Sequence, residues 1–383
     1  MLMLYKQYQA YLRAVGIVLS LLLLGACVPD IGDSDAALAL EDIHSGDNDS
    51  RLKQRTLVPD KKTIDYTIEG RQHIADLYVS PEGALAGIVL IPGVVADGKD
   101  DHRLVALANT LARLRFAVLI PEVAGLRQFH TRARDVRVMA DAFRYLISQP
   151  TLAPAGRAGF AGFSYGVGVI LLAALEPDIR EQVRFLLGFG GYYDIANIIT
   201  FFTTGYYHDE HSQKLKYRFP HYYLKWVFTH SNAALVKREQ DRKTLLALSE
   251  TDDESELLSE VDALGPDARA LYNLISNEDP QRVADLIARL PAVMRKELEG
   301  INPASRNLSQ MQAQVILLHG RGDNMIPYTE SIALAQALPA GQGKLYLIEG
   351  YAHTNIKPKR KDLPQILDAM QELMAQRFVS ESE

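Results

Sequence analysis

A single cysteine, Cys27, stands in a chain of 383 residues, so no disulfide within the chain can hold the fold together. Stability must come from a packed core, whatever the redox state of the compartment. A strong charge of one sign is also missing. The chain carries 41 Lys and Arg against 47 Asp and Glu, and a net charge of −6 gives no general attraction for nucleic acid. No apolar run long enough to span a bilayer occurs past the N-terminus, so no membrane-spanning helix is expected there. No internal repeat is visible. What remains is an ordinary globular composition, 48% hydrophobic and 23% charged, with length for one large domain or two medium ones.

The N-terminus reads differently. Lys6 and Arg13 flank the first residues, and A-V-G-I-V-L-S-L-L-L-L follows over 14–24. That run has signal-peptide length and is too short to span a bilayer as a mature helix. Leu24, Gly25, Ala26 and Cys27 come next, and small residues there suit a signal peptidase. L-G-A-C resembles the lipobox of bacterial lipoproteins. The resemblance implies removal of residues 1–26 and lipid attachment to the Cys27 sulfur, with more than one acyl chain making a stable anchor. The alternative is an ordinary secretory signal with an incidental Cys. Val28 in place of Asp favours, by resemblance to the enterobacterial sorting rule, the outer membrane over the inner one. Residues 27–59 are rich in Asp, Ser and Gly over 28–55 and lack sustained periodicity. They are expected to form a disordered tether, or else a short extension packed on the domain.

From about residue 60 the pattern changes. T-I-D-Y-T-I (63–68) and H-I-A-D-L-Y-V-S (73–80) alternate like paired strands. A-G-I-V-L-I-P (86–92) and F-A-V-L-I-P-E-V (116–123) are solid apolar runs, as expected for strands buried on both faces. Helical stretches at 102–114 and 131–148 follow them in turn. The strand 157–164 leads into an apolar helix at 165–176, and 183–191 is again strand-like. The rhythm resumes at Q-V-I-L-L-H-G (314–320), then a helix at 328–338, the strand 344–350 and a helix at 362–378. A hairpin followed by alternating strands and helices predicts an α/β fold with a mostly parallel sheet covered on both faces. Catalytic groups in such sheets sit at the carboxyl ends of the strands. The core is therefore expected in two parts, 60–191 and 313–383. Between them, 192–312 is too long for a loop and predicts a helical cap. Its first part is dense in aromatics, and its second reads as short charged helices broken by Gly265-Pro266, Pro280 and Pro291.

G-F-S-Y-G (162–166) fits the pattern G-x-S-x-G, in which a strained strand-to-helix turn thrusts a serine oxygen out of the sheet. An apolar strand leads in and an apolar helix leads out, which is the context the motif requires. Serine needs a base to take its proton, and the base is usually a His steadied by a carboxylate. The last two predicted strands supply both. H-G-R-G-D-N-M-I-P places Asp323 in one strand-end loop and G-Y-A-H-T places His353 in the next.

With I-V-L-I-P-G (88–93), these motifs make the chain similar to the α/β-hydrolase superfamily, nearest its esterase, dienelactone-hydrolase-like and prolyl-oligopeptidase-like branches. The resemblance covers about 60–191 and 302–380 but not the insertion. It implies the α/β-hydrolase fold with an eight-stranded sheet and the triad Ser164, Asp323 and His353. Asp194, in G-G-Y-Y-D, is the rival acid, since some members place it there. Tyr165, after the nucleophile, is expected to donate one backbone N–H to an oxyanion. By resemblance to H-G-x loops, Val94 supplies the other. Pro92 stands where the family often has His, which bears on the conformation of that loop.

The aromatics from Tyr192 to Phe228 are expected to roof the site, with the larger share forming the cap's own core. His208, His211, His221 and His230 lack a metal-ligand spacing, and Arg127, Arg132, Arg134, Arg137 and Arg144 suit a solvated helix face. No metal or organic cofactor is implied. The resulting expectation is a lipid-anchored bacterial envelope protein, facing the periplasm, that cleaves small-molecule carboxylic esters. A peptidase or acyltransferase on the same triad is one alternative, although a prolyl-oligopeptidase type would carry a β-propeller. A non-catalytic envelope binding lipoprotein is another. A serine at the elbow argues against superfamily members that use Asp there.

Overall fold

The computed structural model describes residues 32–212, 214–251, 257–350, 353 and 360–378. The signal segment and Cys27 lie outside the described residues. In chain order the strands are β1 Asp60–Ile68, β2 Arg71–Val79, β3 Ala86–Ile91, β4 Phe116–Pro121, β5 Ala158–Phe163, β6 Phe185–Phe189, β7 Tyr206–His208, β8 Leu215–Tyr217, β9 Gln314–Gly320 and β10 Gly343–Ile348.

Eight of them form one sheet in the order β1-β2-β4-β3-β5-β6-β9-β10. β1 pairs antiparallel with β2, and β2 antiparallel with β4. All the remaining pairings are parallel. β3 and β4 are buried at every position, which explains their unbroken apolar sequence. β1 is an edge strand, and its first residues, Asp60, Lys61, Lys62 and Thr63, are exposed, so charge protects that edge.

Each face of the sheet carries its own core. On one face the helix Arg134–Ile147 buries Val136, Met139, Ala140, Phe143 and Leu146, a stripe at helical spacing. Beside it the helix Tyr165–Ala173 is buried at all nine positions, so it has no polar face to lose. On the other face lie the helices His102–Arg113 and Leu363–Ala375.

The stretch expected as a tether departs from expectation. Helices Asp35–Ser45 and Arg51–Arg55 are capped by Ser34 and Ser50. They bury Leu38, Leu40, Ile43 and Leu52 against the helices His102–Arg113 and Leu363–Ala375. Asp42 accepts from Ser50 Oγ at 2.5 Å and Thr110 Oγ1 at 2.6 Å. Averaged composition hid the short apolar run A-A-L-A-L inside an acidic, serine-rich segment.

The insertion is helical but not wholly so. It contains Ile195–Thr204, Tyr222–Ala233, Glu239–Ser249, Pro266–Ile275 and Ala292–Gly300, and also the β7–β8 hairpin, which periodicity over three-residue strands could not reveal. Tyr192, Phe201, Phe202, Tyr223 and Phe228 are buried, whereas Tyr217, Phe219 and Tyr222 are exposed.

Candidate active site

Ser164 sits between β5 and its following helix with φ 52° and ψ −120°, a left-handed conformation that costs a non-glycine residue about 1–3 kcal/mol. Its N–H donates to Phe189 O at 2.8 Å, which holds the turn to the end of β6. The space is tight. A Cβ on Gly166 would lie 2.7 Å from Pro92 O, so the glycine lets the β3 loop pass against the elbow. Pro92 thus sits at this contact through its carbonyl, a role its ring does not prevent.

Asp323 and His353 meet at the ends of β9 and β10. His353 Nδ1 lies 2.7 Å from Asp323 Oδ2. The other oxygen, Oδ1, accepts from Met325 N at 2.8 Å and Ile326 N at 2.9 Å. Burial alone would push the Asp323 carboxyl up. The imidazoles of His353 and His319 outweigh burial and hold it well below the usual carboxylate range. An ionised Asp323 can only accept, so His353 donates to it from Nδ1, and the neutral ring then has Nε2 as its acceptor. Gly190 ends β6 beside this pair with φ +56°, and that conformation is what calls for glycine, since a Cβ there would only touch the pair at 3.5 Å.

Ser164, Asp323 and His353 line one cavity of about 220 Å³ whose walls are mainly apolar. Among the described residues Ser164 Oγ makes no hydrogen bond to His353, a contact that often tightens only when substrate binds. Val94 and Tyr165 border the same cavity, and among the described residues neither backbone N–H has a protein acceptor. The Tyr165 side chain points elsewhere, donating to Asp135 Oδ2 at 2.8 Å. Asp194 does not join His353. Its side chain accepts from Ala196 N at 2.9 Å and so caps the helix Ile195–Thr204.

Sequence reasoning missed several supporting residues. His319 is buried, with Nδ1 2.7 Å from Ser331 Oγ, and Nε2 3.0 Å from Ile326 O and 3.3 Å from Asp323 Oδ2. Its signal was the His-Gly pair at the strand end, four residues before Asp323. From the cap, Tyr223 donates to Val94 O at 2.7 Å, His221 N to Asn324 O at 2.7 Å, and Arg218 to Asp323 O. Burial, then the charge of His353, pushes His221 down to about 4, and its Nδ1 accepts from Tyr223 N. These cap contacts cross more than a hundred residues of sequence and leave no local pattern. Arg132 also departs from the expected solvated face. It is buried and donates to Ser231 Oγ at 2.6 Å and Ser231 O at 2.8 Å, fastening the cap to the core.

No protein-family profile and no curated protein matches the sequence. Solved structures do match. A protein of Legionella pneumophila described as a hydrolase superposes with a TM-score of 0.54 at 12% identity, over 87% of this chain and 94% of its own. The fold is that of the α/β-hydrolases. Dienelactone hydrolase from Anabaena variabilis aligns more loosely, with a TM-score of 0.44 at 14% identity, over 84% of this chain and 97% of its own. Est1E from Butyrivibrio proteoclasticus gives 0.42 at 15% identity, over 82% and 98%. On this α/β-hydrolase scaffold, Ser164, Asp323 and His353 follow β5, β9 and β10, the last two being the final strands among the described residues.

Proposed function

We propose that this protein is a serine hydrolase that cleaves carboxylic esters through an acyl-enzyme on Ser164. The observation that carries the reading is a strained serine sharing an apolar cavity with a buried, hydrogen-bonded Asp323–His353 pair. Ser164 Oγ attacks the carbonyl carbon while His353 Nε2 takes its proton. The carbonyl oxygen becomes an oxyanion that accepts from Val94 N–H and Tyr165 N–H. Collapse of the tetrahedral intermediate breaks the ester C–O bond, and His353 returns the proton to the departing alcohol. Water, deprotonated by His353, then releases the acid and restores Ser164.

An ester substrate is favoured over a peptide because the cavity offers few polar partners. A peptide bound there would leave buried N–H and C=O groups unpaired. The similarity to a Legionella protein described as a hydrolase supports hydrolysis in general. We further propose that Cys27 carries lipid in a bacterial envelope, with the outer membrane favoured. The first described helix starts at Asp35. An extended chain from Cys27 would then reach roughly 25 Å, which keeps the domain close to the membrane surface.

The test is covalent labelling of the chain by a fluorophosphonate probe, with the modified peptide located by mass spectrometry. Labelling at Ser164, lost in folded Ser164→Ala and His353→Ala variants, is the expected result. A folded protein that does not label supports a non-catalytic binding lipoprotein instead. Labelling with turnover of amides but not esters makes the protein a peptidase, and acyl transfer to an added alcohol in place of hydrolysis makes it an acyltransferase.

A further inference from the structure

The cavity at Ser164 has walls from both faces of the sheet. On the cap face, Tyr192, Phe202, Tyr223 and Phe228 contribute rings, three of them from the insertion's helices. On the opposite face the lining is aliphatic: Leu104, Leu107, Met370 and Leu373 from two helices, with Leu40 and Ile43 beyond them. Phe163 and Phe189, at the ends of β5 and β6, form the neck between the two sides, their rings stacked at 4.9 Å and 10°. The helix Asp35–Ser45 packs on the two flanking helices, so Leu40 and Ile43 make the outer wall of that arm. The charged residues at its border, Asp101 and Arg103, are paired with each other at 2.5 Å and present no unmatched charge.

Resting on the esterase reading above, we infer that the aliphatic arm holds the acyl chain of the substrate and that the natural esters carry a short to medium, unbranched acyl group. The reacting carbonyl lies where the two arms meet, so one arm receives the acyl side and the other the alcohol side. Leu, Ile and Met walls, with the Asp101–Arg103 charges already matched to each other, suit a polymethylene chain, which gains from apolar burial and asks for no hydrogen bond. The cap arm suits a flat or bulky alcohol packed on its rings, since the hydroxyls of Tyr192 and Tyr223 already donate to Ile301 O and Val94 O. Size sets the length. An apolar cavity of about 150 Å³ takes the six carbons of benzene, which scales to roughly nine carbons for the two arms together, a room that the acyl chain shares with the alcohol. The N-terminal helix thereby becomes part of the specificity pocket.

The experiment uses the full-length protein in detergent and two readouts. Decanoate binding is measured by calorimetry, and p-nitrophenyl esters from acetate to laurate give a kcat/KM profile. Decanoate is expected to bind, with affinity at least tenfold weaker in Ile43→Trp and less than threefold weaker in Val227→Trp, on the cap side. The kcat/KM profile is expected to peak between butanoate and octanoate. Ile43→Trp should lower the octanoate-to-acetate ratio at least tenfold, and Ile43→Ala, which folds more readily, should move the peak to longer chains. No decanoate binding, a flat profile in a protein that turns esters over, or an effect confined to Val227→Trp would overturn the assignment. If decanoate binds with the expected variant pattern while Ser164 neither labels nor turns over ester, the acyl arm stands and the serine-hydrolase reading fails.

Discussion

Asp323→Asn isolates the step on which the proposed chemistry depends. Asp323 faces donors on both sides: two backbone N–H groups on Oδ1, and the imidazoles of His353 and His319 on Oδ2. Asn keeps one acceptor, and the paired N–H groups of Met325 and Ile326 will hold it as Oδ1. The new amide NH₂ then points at His353, where the native carboxylate accepted. His353 must shift its proton from Nδ1 to Nε2 to avoid a donor facing a donor. In that tautomer it cannot take the proton from Ser164. Loss of the correct tautomer costs on the order of 10⁴ in rate in Ser-His-Asp enzymes, or roughly 5.5 kcal/mol of transition-state stabilisation. The fold should survive, since His319 keeps Ile326 O and Ser331 as partners, and one lost buried hydrogen bond costs about 1–3 kcal/mol. The assay is kcat/KM on p-nitrophenyl octanoate together with the rate of fluorophosphonate labelling, with a thermal melt as the check on folding. Asp194→Asn is the companion variant and should lose less than threefold, because Asp194 caps a helix. A folded Asp323→Asn protein within tenfold of the parent, or a collapse confined to Asp194→Asn, would refute the reasoning.

Two further outcomes test the surroundings of the site. Leu52→Ala should destabilise the protein by about 2–5 kcal/mol, since Leu52 is 1% exposed and its removal leaves a cavity under the N-terminal helices. An unchanged thermal melt would mean that this segment does not belong to the folded unit. Glu330 is buried under the start of the cap, where Tyr193 N, Asp194 N and Asn197 Nδ2 donate to it. Burial outweighs those donors and pushes its pKa from 4.5 to about 7. A carboxyl raised in the folded state stabilises fully below its unfolded value and loses that contribution as pH rises through the folded value. Unfolding free energy should therefore fall between about pH 5 and pH 8, by at most roughly 3 kcal/mol. Glu330→Gln should flatten that slope, because the Asn197 amide can turn its oxygen toward the new NH₂. Chemical denaturation across that pH range is the measurement, and an unchanged slope in the variant would assign it to other groups.

Much of this architecture was legible because the physics was local. Buried parallel strands need continuous apolar runs, and β3 and β4 display them. The elbow needs small residues around Ser164, and the acid and base candidates follow their strands in the order this fold requires. The helix expected at 102–114 begins at His102 because Asp101 is a strong cap. What stayed hidden was whatever depends on partners distant in sequence. The helix Asp35–Ser45 draws its stability from helices that lie far along the chain, so its composition alone read as a tether. The β7–β8 hairpin is too short for a period to show. The place of Asp323 after the next-to-last core strand favours it over Asp194, whereas its contact with His353 exists only where two loops meet. Sequence by itself determined the sheet, the strained serine and the two loops around it, because each follows from residues within one strand or turn. Only the tertiary structure decided how the cap grips the Val94 and Asp323 loops, and that one cavity reaches past the sheet to the N-terminal helix, because those contacts exist only once distant segments pack.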